Sequence, residues 1–179
     1  MFDLLVDNDG HYLLGGHTTV GTAENSGTGV AVVNWDYLAI KVNSQTKQVE
    51  WRKTFGQPRG FDARLAADCC ANQSTFPCRW IHDEMYCVGL DAAGNYLLLG
   101  GSGDEYSYSA TNSNGQSDIW VSYLVVVSPA GEMLYQGTFG DPAGNNAGEW
   151  LSVDSSGDVM IYTDSDTQNG FGFLKLSKN

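Results

Sequence analysis

Apolar residues along this chain recur in short runs, the longest Tyr123 to Val127, broken by Gly, Asn, Asp and Ser rather than spaced at helical intervals, so the pattern predicts strands and tight turns. The first apolar stretch, residues 1–6, predicts a buried strand. Asp7-Asn8-Asp9-Gly10 closes it in a turn, because Asx side chains bond the local backbone and glycine accepts positive φ. Residues 11–16 predict a second strand, whose Gly15-Gly16 end implies close backbone packing. Residues 17–33, rich in Thr, Gly, Ser and Asn, read as a long loop. Residues 35–42 and 48–55 predict a third and fourth strand around a turn at 43–47, with Val49, Trp51 and Lys53 on one face by period two.

The same order then recurs. Strands are predicted at 84–90, 95–100, 118–127 and 132–139, and from Asn34 to Gly56 the two copies align without a gap, 84 positions apart. A third copy starts at Glu149-Trp150, turns at Ser155-Ser156-Gly157 and supplies strands at 149–154, 158–162 and 171–176, with a loop at 163–170. The count is therefore four strands, four and three. Each unit is an up-and-down meander of about 50 residues, the size of one propeller blade.

The patterns D-x-x-G-x-Y-L-L-x-G-G and D-x-W-x(5)-V-x-S, spelled as in the second copy, and W/Y-x-x-T-F-G, common to both copies, resemble the blade repeats of secreted β-propeller proteins. Trp120 lies one residue after the position matching Trp35, and the third unit has no T-F-G. The resemblance implies an all-β chain of four-stranded antiparallel blades, at about 1–56, 84–140 and 148–179, with an insertion at 57–83. It implies nothing about activity. Three blades are too few for a ring, since propellers use about four to eight. The expectation is a ring closed by two copies joined head to tail, or a piece of a longer propeller. A β-sandwich built from the same hairpins is the remaining architecture.

Composition changes this picture mainly by exclusion. A net charge of −12, with nine Lys and Arg spread along the chain, argues against nucleic acid and anionic membrane surfaces as partners. No apolar run approaches the roughly 20 residues of a membrane span. No secretory leader precedes the first strand, so the chain is either cytosolic or trimmed from a longer precursor. Cys69, Cys70, Cys78 and Cys87 fall in one window and favour the second alternative, as a disulfide set of a secreted protein. Their spacing lacks the close C-x-x-C pairs of a zinc site. Asn72-Gln73-Ser74 is a glycosylation sequon compatible with secretion.

Loop lengths point to a working face. In an antiparallel meander alternate connections emerge at opposite ends, which puts the short turns at one end and the long second-to-third and blade-to-blade connections at the other. Long loops on a rigid scaffold are where binding and catalysis concentrate. His82, with Asp83 and Glu84, stands where the insertion re-enters the sheet and could act as a base. Arg79 beside it could neutralise a uronate, with Tyr86 as acid or base, in a polysaccharide lyase or hydrolase. Trp80, Asp83, Glu84, Asp104, Glu105, Tyr106 and Tyr108 combine aromatic faces with carboxylates, the pairing that holds sugars. Arg59 and Arg64 could read an acidic ligand. Asp164 and Asp166 could offer oxygen ligands to calcium, the one cofactor considered. His11 and His17, six residues apart on a straight strand, would be about 20 Å apart, too far to share a metal. The tryptophans at 35, 51, 120 and 150 are expected in the core, and Trp80 in a loop. The expected function is an extracellular module that binds carbohydrate on the long-loop face, with a polysaccharide-active enzyme and a self-assembling structural unit as alternatives.

Overall fold

The computed structural model describes residues 1–25, 31–56, 82–104, 119–140, 146–165 and 170–177. Every element among them is a strand. Sheet 1 has the order β1(Asp3–Val6), β2(Tyr12–Asn25), β3(Ala31–Val42), β4(Val49–Phe55). Sheet 2 has β5(His82–Leu90), β6(Tyr96–Asp104), β7(Ile119–Val127), β8(Met133–Phe139), and sheet 3 has β9(Gly148–Val153), β10(Val159–Ser165), β11(Gly170–Leu176). All neighbouring strands in these sheets pair antiparallel. The architecture is that of a partial propeller with sheets of four, four and three strands, and its ring is not closed.

The repeated D-x-x-G word builds the same turn three times. Asp7 Oδ1 accepts from the backbone N–H of Asp9 and His11 at 3.0 and 2.7 Å. Asp91 Oδ1 accepts from Ala93 and Asn95, and Asp154 Oδ1 from Ser156 and Asp158, in the same manner. The glycine of each word, Gly10, Gly94 and Gly157, has φ between 80° and 88°, which a side chain would strain.

Sheet 2 is sandwiched between the other two. Its β5 packs against β1, β2 and β3 on one side and β9 on the other. Alternate residues of each strand serve the two faces, as the period of two requires. Tyr96, Leu98, Tyr123, Val125 and Val127 meet Leu13, Tyr37, Ala39 and Phe55 of sheet 1. Leu97, Leu99 and Leu124 meet Leu151 and Ile161 of sheet 3. Two-layer stacking, the sandwich alternative, is therefore not what the chain adopts.

Three expectations are corrected. The segment 17–33 is not wholly a loop: β2 continues to Asn25 and β3 begins at Ala31, so Gly15-Gly16 lies mid-strand, with Gly15 against Val88 and Met85 of β5. The repeat is not gapless through β3 and β7. Thr19 pairs with Trp35 and Gly103 with Trp120, so the two tryptophans are equivalent although 85 positions apart. The turn from Ser128 to Glu132 is one residue shorter than that from Asn43 to Gln48, which restores the spacing of 84 by β8. The third correction concerns burial. Leu4 and Val6 of β1 are 50% and 53% exposed, and Trp150 of β9 is 56% exposed. They lie on the two outward sheet faces that no sheet among the described residues covers.

Candidate functional site

Two ends of the fold are chemically distinct. At the short-turn end, the ammonium of Lys41 lies 3.4 Å from both Asp7 Oδ2 and Glu50 Oε2, beneath the Pro129 carbonyl and over the Tyr96 ring. The Tyr96 hydroxyl donates to Asp7 Oδ2 at 2.7 Å, and the Trp51 indole donates to the Pro129 carbonyl at 3.1 Å. These bonds tie the turns of sheets 1 and 2 together. The strand ends that lead into residues 26–30, 57–81, 105–118, 141–145 and 166–169 lie opposite, at what we call the rim.

On the rim, a cluster of aromatic and acidic side chains joins sheets 1 and 2. Its sheet 1 side is aromatic: Phe2 and His17 rings stand 4.7 Å apart, and His17 stacks on Trp35 at 4.7 Å with an interplanar angle of 5°. Cross-strand pairing explains the second contact, since His17 opposes Tyr37 and Trp35 opposes Thr19, all on one face of the hairpin. Phe2 also meets the Tyr86 ring edge-on at 5.8 Å, crossing to the sheet 2 side.

The sheet 2 side is acidic, and a β-bulge shapes it. Between Met85 and Cys87 the register shifts, so Tyr86 is the extra residue. Gly100 lies opposite: a Cβ there would meet the Glu84 carbonyl oxygen at 1.8 Å, so only glycine admits the bulged backbone. The Tyr86 hydroxyl donates to Glu84 Oε2. Burial, this bond and the charges of Glu84, Glu149 and Asp164 all push the phenol far above its ordinary range. Tyr86 is thus held as a hydrogen-bond donor to Glu84. Sheet 3 repeats the device, for the register between β9 and β10 shifts so that Glu149 occupies the place Tyr86 holds in β5.

Polar groups lie beneath this cluster. Asp83 and Ser102 are fully buried, and Ser102 Oγ has no hydrogen-bond partner. His17 Nδ1 is likewise buried without one. Burial, helped by the N-terminal ammonium and opposed by Glu84, holds the His17 imidazole below the usual histidine pKa, so it favours the neutral form. Burial raises the Asp36 carboxyl.

Of the residues singled out in the sequence, the structure brings Asp83, Glu84 and Tyr86 together, with Asp164 close enough to act electrostatically on Tyr86. His82 opens β5 and Asp104 closes β6, and only their strand positions are described. Arg59, Arg64, Arg79, Trp80, Glu105, Tyr106, Tyr108 and Asp166 lie outside the described residues. So do Cys69, Cys70 and Cys78, whereas Cys87 is a free thiol, 1% exposed, in the core between sheets 2 and 3. Among the described residues no group of three His, Cys, Asp or Glu could hold a metal ion, and no helix is long and apolar enough to cross a membrane. Phe2, His17, Trp35 and Glu149 were not anticipated as site residues. The usable signal was the parity His17–Thr19 against Trp35–Tyr37, hidden once β2 was ended at Gly16.

Comparison with protein-family models and with curated proteins finds no match for this chain.

Proposed function

We propose that the chain is a carbohydrate-binding module whose ligand lies on the rim, against the aromatic and acidic cluster that joins sheets 1 and 2. One observation carries this reading: the Phe2–His17–Trp35 aromatic side stands across from the Glu84–Tyr86 pair at the end where the long connections emerge. Aromatic faces pack on the C–H faces of a pyranose, and carboxylates accept its hydroxyl protons. Phe2 is 56% exposed and offers its ring to such a ligand.

Charge narrows the class. Asp36, Asp83, Glu84, Glu149 and Asp164 are acidic groups of the rim, while Lys41 and Lys175 pair with the short-turn carboxylates Asp7, Glu50, Asp154 and Asp158. A neutral saccharide suits such a rim better than a uronate or sulfated glycan, which the carboxylates would repel.

A glycan array followed by isothermal titration tests the reading. Neutral oligosaccharides should bind, and both Trp35→Ala and Glu84→Gln should weaken them by tenfold or more while far-UV circular dichroism stays unchanged. Absence of binding to every neutral glycan, or binding indifferent to both substitutions, defeats the proposal.

A further inference from the structure

Two sheet faces of this chain are built as inter-sheet contacts yet cover nothing among the described residues. Their equivalence to buried faces can be followed position by position through the strand registers. On the outward face of sheet 1, Leu4 pairs with Leu14 and Leu14 with Ile40. The matching row in sheet 2 is Val88, Leu98 and Val125, paired in the same way. That row is buried against sheet 1. The outward row of sheet 1 is equally apolar but uncovered, with Leu4 half exposed.

The outward face of sheet 3 shows the converse. Trp150 pairs with Tyr162 and Tyr162 with Phe173. The matching row in sheet 2 is Cys87, Leu99 and Leu124, all buried against sheet 3. In sheet 3 the same places hold three aromatic rings that are 56%, 43% and 62% exposed, and Phe171 beside them is 89% exposed. A contiguous row of exposed rings of this kind marks an interaction surface.

We propose that two copies of this chain join head to tail, the aromatic face of sheet 3 in one copy seating on the aliphatic face of sheet 1 in the other. The contact repeats the one that sheet 2 already makes with sheet 3, so it continues the rotation from sheet to sheet. Made twice, it closes six sheets around a two-fold axis, within the range of known propellers, and leaves neither face exposed. Bulky rings meet smaller aliphatic side chains, a match of large against small that a face-to-face pairing of two aromatic rows lacks.

The test is mass in solution and its response to one charge on each face. By multi-angle light scattering the 179-residue chain should run at twice 19.4 kDa. Ile40→Glu and Phe173→Glu should each give a monomer whose far-UV circular dichroism is unchanged. Mixing the two variants restores one of the two contacts, so a heterodimer should return at higher concentration. A wild-type mass of 19.4 kDa at all concentrations, an open series of larger polymers, or a dimer that survives Ile40→Glu overturns the proposal. If either variant fails to fold, the wild-type mass and hydrogen exchange still decide. Protection of Tyr162 and Leu14 amides that does not rise with protein concentration also overturns it.

Discussion

The Tyr96 hydroxyl donates to Asp7 Oδ2 across 2.7 Å, joining the second sheet to the first turn of the first sheet. The phenol is 1% exposed, and burial followed by the bond to Asp7 pushes its pKa up to about 12. It therefore stays a donor throughout the neutral range. Tyr96→Phe removes the donor but not the ring, so the cost is that of a buried carboxylate oxygen losing a partner. We expect a loss of about 1–3 kcal/mol, read from urea denaturation at pH 7. A loss under a few tenths of a kcal/mol contradicts the bond.

Lys41 turns the same cluster into a source of pH dependence. Burial works to raise the Asp7 pKa, but the bonds from Tyr96 and the His11 N–H, together with the Lys41 charge, outweigh it and the net shift is downward. The sign follows from linkage. A carboxyl lowered in the folded state contributes stability that is present above the unfolded value of about 3.9 and is lost as pH falls through the folded value. Lys41 and Asp7 side chains are 7% and 6% exposed, so Lys41→Met leaves a buried carboxylate unbalanced, at about 3–5 kcal/mol. That deficit should be largest near pH 7 and shrink below about pH 4, where Asp7 is protonated in the variant. Denaturation midpoints at pH 7, 5 and 3 give the comparison, and a deficit constant with pH removes Asp7 as the cause.

The D-x-x-G turns, the strand order and the four-four-three count were legible because each rests on local chemistry: Asx hydrogen bonds, a left-handed glycine and a period of two. The reach of β2 was not legible. Residues 17–25 are polar, and strands continue through polar residues when a partner strand supplies the hydrogen bonds. The register of β7 misled for a similar reason, since a turn shortened by one residue is invisible until the pairing is seen. Trp150 was assigned to the core from its repeat position, correctly for the repeat but not for a sheet with no neighbour on that side. In the site, Glu84 and Tyr86 lie two residues apart and could be read together, whereas Phe2, His17 and Trp35 meet only through folding.

Cys87 was grouped with Cys69, Cys70 and Cys78 on spacing alone, and the structure gives it a different environment. Its thiol is free, packed among Leu97, Leu99 and Leu151, and burial leads in pushing its pKa up to about 11. A buried, protonated thiol is a poor nucleophile. Iodoacetamide at pH 8 should leave Cys87 unmodified in the native protein and alkylate it fully in urea, as read by peptide mass spectrometry. Recovery of a peptide in which Cys87 is disulfide-bonded contradicts this.

His17 should titrate below the usual histidine value. Its imidazole is held down by burial and by the N-terminal ammonium, against an upward pull from Glu84. A histidine lowered in the folded state contributes stability that is present above the unfolded value of about 6.5 and is lost progressively as pH falls below it. NMR titration of the ring protons should place His17 below 6.5. Glu84→Gln should lower it further, by removing the one charge that favours the imidazolium. An unchanged His17 titration in that variant would mean that Glu84 does not act on the aromatic side of the cluster.

Gly100 offers the sharpest test that the bulge shapes the site. A methyl at this position would fall 1.8 Å from the Glu84 carbonyl oxygen, 2.7 Å from its carbon and 2.8 Å from Met85 Cα. These are backbone atoms, so no rotamer change relieves the clash. Either β5 withdraws from β6 or the bulge at Tyr86 is rebuilt. Both outcomes move Tyr86 relative to Phe2 and Glu84. Overpacking of this kind costs about 1–3 kcal/mol, and more where backbone must yield. Gly100→Ala should therefore destabilise the chain by at least that amount in urea, and should shift the Tyr86 ring resonances even where the remaining core is native. Gly10→Ala is a suitable control, because it lies at the opposite end with nothing within 4 Å and carries only the penalty of its positive φ. Equal losses in the two variants, with Tyr86 undisturbed in both, would mean that Gly100 does not set the bulge.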